Sequence, residues 1–384
     1  MTRDHINCGY VPLVDSAPLI IARELRFAED EGIRLNLLRQ PSWSALRDLL
    51  ALGHLDVAHM LSPMPVAMSL GLGGLAAPID ALMVLSVNGN IVGVSNALAD
   101  GMRAQGWDGA FQDPRGTASA LLKAADAPLR VGIPFPFSMH RLLFEYWMRA
   151  DPAYTPGCYE IITTPPPLMA ETMAAGELDV FCVGEPWGSM AVAGEVGELI
   201  LPMCAIWEFA PEKVLGARRD WVTNNPQTCG AVMRAVYRAA KWLDRPDNHA
   251  LATEILARSE HLDLPGHVID HAIRGQIVTR LGAAPVQTPH FLRFHAGAAN
   301  FPWRSQAAWI GTQLGAAAAQ STGSFRSDLF RTYLGPSGVD MPGASAKLEG
   351  AMRYPTAVAS TKGHMILGPD AFFNGATFDF DTPE

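Results

Sequence analysis

With 384 residues the chain is too long for one average domain and too short for three, so two lobes are expected. It is 49% apolar and 17% charged, the composition of a globular protein, which excludes disordered and fibrous classes. The formal net charge of -9, with no Lys/Arg run, argues against direct binding to nucleic acid or to a membrane face, so an anion bound here needs a local positive site.

The first seven residues carry no basic run, no apolar stretch and no small-residue cleavage site, so the chain is expected to stay in the cytoplasm. Residues 5–11 (HINCGYV) read as a strand, with Asp15 or Ser16 capping an apolar helix over 18–28. After Gly32 comes the alternating strand 33–39, then a helix over 43–52 capped by Ser42 and ended by Gly53. The apolar run 57–61 (VAHML) reads as a buried strand. Strands alternating with helices of about ten residues predict a parallel α/β sheet.

One unit recurs: Ala51-Leu52-Gly53-His54-Leu55-Asp56-Val57 is echoed by Ala174-Ala175-Gly176-Glu177-Leu178-Asp179-Val180. Each copy is a helix exit, a Leu-Asp pair and a strand leading into a Pro-bearing turn, which predicts two similar lobes facing each other. Segment 81–96 reads as two strands around an Asn88-Gly89-Asn90 turn, after which Asn96 caps a helix and the chain crosses to the second lobe. That lobe continues through strand 129–133, the helix after Ser138, strand 158–163 and helix 165–175, and the chain crosses back within 201–214. The predicted division is therefore 1–95 with 205–384 as lobe 1 and its C-terminal helical extension, and 96–204 as lobe 2. Beyond 226 helical patterns dominate, and the acidic end 378–384 is expected to be loose.

Five scattered cysteines without a CxxC motif predict reduced, mostly buried thiols and no zinc or disulfide framework. No GxGxxG, Walker A or HExxH motif occurs. His267 and His271 stand four apart without the metalloprotease glutamate, and Gly93-Val94-Ser95-Asn96-Ala97 matches a nucleophile elbow only loosely, so no catalytic residue and no metal site is assigned. What remains is a set of polar residues at element ends, where ligands bind between α/β lobes. Trp43 opens a helix, Asn90 follows a Gly turn, and His140 sits at the helix start after Ser138. Lys213 lies in an apolar strand-like segment, where a buried cation needs a negative partner that a bound anion could supply.

The order Gly9-Tyr10-Val11-Pro12-Leu13, Ser42-Trp43-Ser44-Ala45-Leu46-Arg47-Asp48 and Ala58-His59-Met60-Leu61-Ser62-Pro63-Met64-Pro65 resembles the nitrate and bicarbonate solute-binding proteins of ABC transporters, the NrtA/CmpA group. So do Asn88-Gly89-Asn90, Phe137-Ser138-Met139-His140-Arg141, Val183-Gly184-Glu185-Pro186-Trp187 and Pro211-Glu212-Lys213, the similarity covering roughly 5–260. The resemblance implies the type II periplasmic-binding fold, two α/β lobes closing on a ligand, with a helical C-terminal region. It implies that Trp43, His140 and Lys213 hold the anion, with Asn90 where the transport proteins usually have the longer Gln. One Lys charge with neutral donors matches a small monovalent anion, nitrate or nitrite, and no cofactor is implied.

With no export signal in view, the chain looks like the cytosolic sensor branch, the NasS type, which partners the RNA-binding ANTAR-type antiterminator NasT. That resemblance implies a non-enzyme that sequesters its partner without ligand and releases it when anion binds, touching neither RNA nor membrane itself. The alternatives are the substrate-binding component of a nitrate/bicarbonate ABC transporter lacking its leader, a sensor for another anion, and a pyrimidine synthase of thiamine biosynthesis, whose clustered cysteine motif is absent.

Overall fold

The computed structural model describes residues 4–74 and 77–381. Among the described residues the two mixed sheets are built mainly from β1 (Asp4–Tyr10), β2 (Ile33–Arg39), β3 (Val57–Leu61), β4 (Ile79–Asn88), β5 (Asn90–Ser95), β6 (Leu129–Ile133), β7 (Tyr159–Thr163), β8 (Val180–Gly184), β9 (Gly197–Pro202) and β10 (Pro211–Arg218). The first sheet has the order β4-β10-β3-β1-β2, with the short strand Leu292–Arg293 added at the β4 edge, and the second has the order β7-β6-β8-β5-β9. In the first, β1 runs parallel to β2 and β3, and β10 is inserted antiparallel between β3 and β4. In the second, β6 runs parallel to β7 and β8, and β5 is inserted antiparallel between β8 and β9.

The local chemistry accounts for these elements. Ile33 and Leu35 of β2 are buried while Arg34 and Asn36 are exposed, the alternation of a one-sided strand. All residues of β3 and β4 are buried, which is why 57–61 reads as an apolar run. Ser42 Oγ accepts the Ala45 N–H and caps the helix Trp43–Ala51, and Ser138 Oγ accepts the Arg141 N–H and caps Met139–Arg149.

The repeated Leu-Asp unit does the same work twice. The pairing Cys8↔Val57, Gly9↔Ala58 recurs as Val131↔Val180, Gly132↔Phe181, each partner displaced by the 123 positions that separate Cys8 from Val131. The Asp56 N–H donates to Asn7 O and its carboxylate accepts the Asn7 N–H; Asp179 does both with Arg130. A Cβ on Gly9 would lie 2.4 Å from Leu55 Cδ1, and one on Gly132 would lie 2.6 Å from Leu178 Cδ1, so each unit needs glycine where the Leu crosses the strand.

Several expectations are corrected. The 18–28 helix divides into Ala17–Glu24 and Phe27–Asp30, because Arg26 adopts a left-handed backbone (φ 62°). Neither Asp15 nor Ser16 caps the first of these with its side chain. The two strands of 81–96 belong to different sheets, so the chain crosses at Gly89 (φ 97°) and β5 joins the second sheet, and the 95/96 boundary is one strand too late. Ser95, whose Oγ accepts the Leu98 N–H, caps the next helix, and the Asn96 amide instead donates to Glu195 O. The return falls between β9 and β10, inside the expected segment. Asn88 fastens the two crossings together: its Nδ2 donates to Glu208 O and His290 O, and its Oδ1 accepts the Ala210 N–H.

The C-terminal region is not helical throughout. It adds the antiparallel pair Gln276–Ile277 with Val286–Gln287 and the hairpin Thr356–Ser360 with Gly363–Leu367. Phe378 exchanges backbone hydrogen bonds with Glu349, so the tail is held there; residues 382–384 lie outside the described residues. Cys8, Cys182, Cys204 and Cys229 are buried, and burial pushes each thiol well above its ordinary value. No helix among the described residues is long and apolar enough to cross a membrane.

Candidate functional site

Trp43, Asn90, His140 and Lys213 are all buried, and contacts through two carboxylates bring them into one cluster. Lys213 comes from β10, where Lys213 faces Leu61 of β3. Neighbours on a regular strand point to opposite faces. Here the pairing of β10 with β4 slips at Pro211/Lys213 and again at Lys213/Val214, and this irregularity turns Glu212 and Lys213 toward each other. Lys213 Nζ donates to Glu212 Oε1 at 2.7 Å and lies 2.7 Å from Asp15 Oδ2, which comes from the short turn after β1.

This corrects the expectation that a bound anion supplies the counter-charge of Lys213: two carboxylates already do so. Asp15 and Glu212 escape sequence reasoning because their partners are distant or adjacent in ways that periodicity does not record. His59, in the middle of β3, is a further member: its Nε2 lies 3.0 Å from Asp15 Oδ1, and its ring centroid is 5.4 Å from that of Trp43. A lone imidazole in the otherwise apolar run VAHML is the signal that could have flagged it.

Trp43 lays its ring 5.5 Å from Lys213 Nζ, a cation–π distance. Asn90 opens β5, and its side chain favours the ionised form of Glu212. His140 Nδ1 stands 3.6 Å from Glu212 Oε1, beyond hydrogen-bond length. Trp43 Nε1, Asn90 Oδ1 and both ring nitrogens of His140 are buried without a hydrogen-bond partner among the described residues. Such groups are costly to bury unless something answers them.

Burial would raise the Asp15 carboxyl, but Lys213 and His59 outweigh it and hold it down at about 2. Burial would likewise lower Lys213, and Asp15 and Glu212 outweigh it and raise it. At Glu212 burial prevails over Lys213, and with the Asp15 charge beside it the carboxyl is raised. Burial lowers both imidazoles despite Asp15, with Lys213 adding to the effect, and His140 falls well below the usual range. At neutral pH the cluster therefore holds one cation, one firm carboxylate, one carboxylate that burial disfavours and two neutral imidazoles.

The histidines set aside in the sequence stay apart from this cluster. His267 and His271 bring their rings to 6.4 Å, and His295 Nε2 hydrogen-bonds Tyr237. Glu24, Glu260 and His261 bring donor atoms within 4.8 Å of one another, but Arg258 already pairs with Glu24.

Two mixed α/β sheets, with polar residues from both meeting in one buried cluster, define a ligand-binding protein of the type II periplasmic-binding fold. The crystal structure of the periplasmic nitrate-binding protein NrtA from Synechocystis PCC 6803 superposes with a TM-score of 0.84 at 27% identity, covering 99% of this chain and 96% of that one. The NMT1-like family model matches residues 2–257. The nitrate/nitrite binding protein NrtA of Nostoc sp. is 30% identical over 310 residues, 79% of this chain and 69% of that protein. The nitrate import ATP-binding protein NrtC of Synechocystis sp. is 33% identical over 316 residues, 81% of this chain, so the chain spans only 45% of that relative. The chain belongs to the NMT1-like family, and within it to the NrtA/CmpA-like nitrate-binding group.

Proposed function

We propose that the chain is a binding protein, not an enzyme, for a small monovalent oxyanion, nitrate or nitrite, held at Trp43, Asn90, His140 and Lys213. The observation that carries this reading is the set of buried polar atoms of Trp43, Asn90 and His140 that have no partner among the described residues, beside a buried lysine. An indole N–H and an imidazole N–H offer neutral donors to such an anion, and the ammonium offers charge. The nitrate-binding names of the relatives support the same ligand. Calorimetric titration with nitrate, nitrite, bicarbonate and chloride at fixed ionic strength tests it. Micromolar binding of nitrate or nitrite is expected, and silence for every anion rejects the reading.

The reading extends to a cytoplasmic sensor whose liganded state is read by an ANTAR-type RNA-binding antiterminator, held without anion and released with it. In NrtC a region like this chain is part of a nitrate import ATP-binding protein. Linkage requires that the partner weaken anion affinity by the same factor by which the anion weakens partner affinity. Co-purification of such a partner, lost on adding nitrate, tests this. The second reading, the capture component of a nitrate/bicarbonate ABC transporter, is favoured by the near-complete superposition on periplasmic NrtA. Fractionation of cells expressing the native gene separates the two.

A further inference from the structure

We propose that the anion enters the cluster together with one proton, and that Glu212 carries it. This rests on the anion-binding reading above and adds to it a second, obligatory ligand. Lys213 Nζ is shared between Asp15 and Glu212, each at 2.7 Å, so with both carboxylates ionised the cluster holds a net charge of one negative. A monovalent anion would make that two, in a site where Lys213, Glu212, Asp15 and His140 are all buried. Repulsion between like unit charges about 4 Å apart, at the effective dielectric of a protein, corresponds to roughly a thousandfold in affinity. Taking up one proton with the anion leaves the charge of the cluster unchanged.

The geometry assigns the proton. Asp15 touches both Lys213 Nζ and His59 Nε2, and those contacts hold it ionised. Glu212 is faced by Lys213 on its own strand, Asp15 from the turn after β1, Asn90 from β5 and His140 from the helix Met139–Arg149. Only Lys213 among these favours its ionised form by charge, and burial opposes it. A protonated Glu212 also gains an O–H donor, where the carboxylate would repel the anion. The same accounting selects by charge: a dianion would need two protons, and the cluster has one carboxyl disposed to take one.

The test is nitrate calorimetry on the whole chain from pH 6 to 9, in paired buffers of different ionisation enthalpy, which counts protons taken up per anion. The expected result is an uptake approaching one at the alkaline end, with affinity falling about tenfold per pH unit there. In Glu212→Gln the uptake should vanish and the affinity become flat with pH. Nitrate binding to the wild-type chain with no proton exchange and no pH dependence overturns the proposal while leaving the anion reading intact. Uptake that persists in Glu212→Gln overturns the assignment to Glu212. Absence of any anion binding overturns the reading beneath both. The wild-type proton count decides the proposal even if the variant fails to fold.

Discussion

Lys213 and Asn90 occupy corresponding positions in the two sheets. Lys213 pairs with Leu61 on the strand inserted antiparallel beside β3, and Asn90 pairs with Gly184 on the strand inserted antiparallel beside β8. Leu61 and Gly184 are separated by the same 123 positions as Cys8 and Val131. The duplicated architecture thus delivers a cation from one lobe and an amide from the other to a single cluster.

Because Lys213 pairs with two buried carboxylates, Lys213→Ala removes more than an anion contact. We expect it to abolish nitrate binding and to lower unfolding free energy by about 3–5 kcal/mol, the cost of leaving a buried charge unpaired. Denaturant midpoints beside the anion titration check this, and a variant as stable as wild type would contradict the ion network.

Trp43→Phe keeps an aromatic ring and removes only an N–H that has no partner among the described residues. It should weaken nitrate binding by about 1–3 kcal/mol, the range for hydrogen bonds to charged groups, without losing any protein hydrogen bond. Equal affinity in the two proteins would show that the indole serves packing alone.

Burial raises the Glu185 carboxyl from its ordinary 4.5 to about 7, although it accepts the Ser189 N–H. Below pH 4.5 the group is neutral in both folded and unfolded chains and costs nothing. As pH rises the unfolded chain ionises first, so stability is lost progressively through pH 7, by roughly 3 kcal/mol from this group. Urea unfolding at pH 5 and pH 8 should show Glu185→Gln gaining on the wild type by about that amount at the higher pH. A constant difference would refute the burial effect.

Gly9→Ala and Gly132→Ala should each cost about 1–3 kcal/mol, since the added methyl meets Leu55 in one case and Leu178 in the other. Similar losses are expected because the two contacts are copies of one another. Thermal melts of both variants would reveal a neutral substitution, which would break the equivalence.

Much of this was legible in the sequence where local chemistry decides. Strands 33–39, 57–61 and 129–133 match their observed bounds because alternation or an unbroken apolar run defines them. Trp43 and His140 were found because a serine cap marks each helix start. The crossing was misplaced because Asn88 and Gly89 both take positive φ, as in a hairpin turn, whether the next strand folds back or leaves for another sheet. The two carboxylates of the cluster were missed for a different reason. Asp15 meets Lys213 across some two hundred positions of chain, and Glu212 meets it only through a slip in strand pairing that no residue type announces.

The stapling of both crossings by Asn88 has a mechanical meaning. Its side chain ties the outgoing passage to Glu208 and Ala210 of the returning one, so any rotation of one sheet against the other pivots at this knot. Asn90 lies two residues from the knot and Lys213 three residues beyond Ala210, close to the fulcrum, whereas the outer strands β2 and β7 lie at the far ends of the arms. Any such rotation would displace the rims further than the cluster beside the knot.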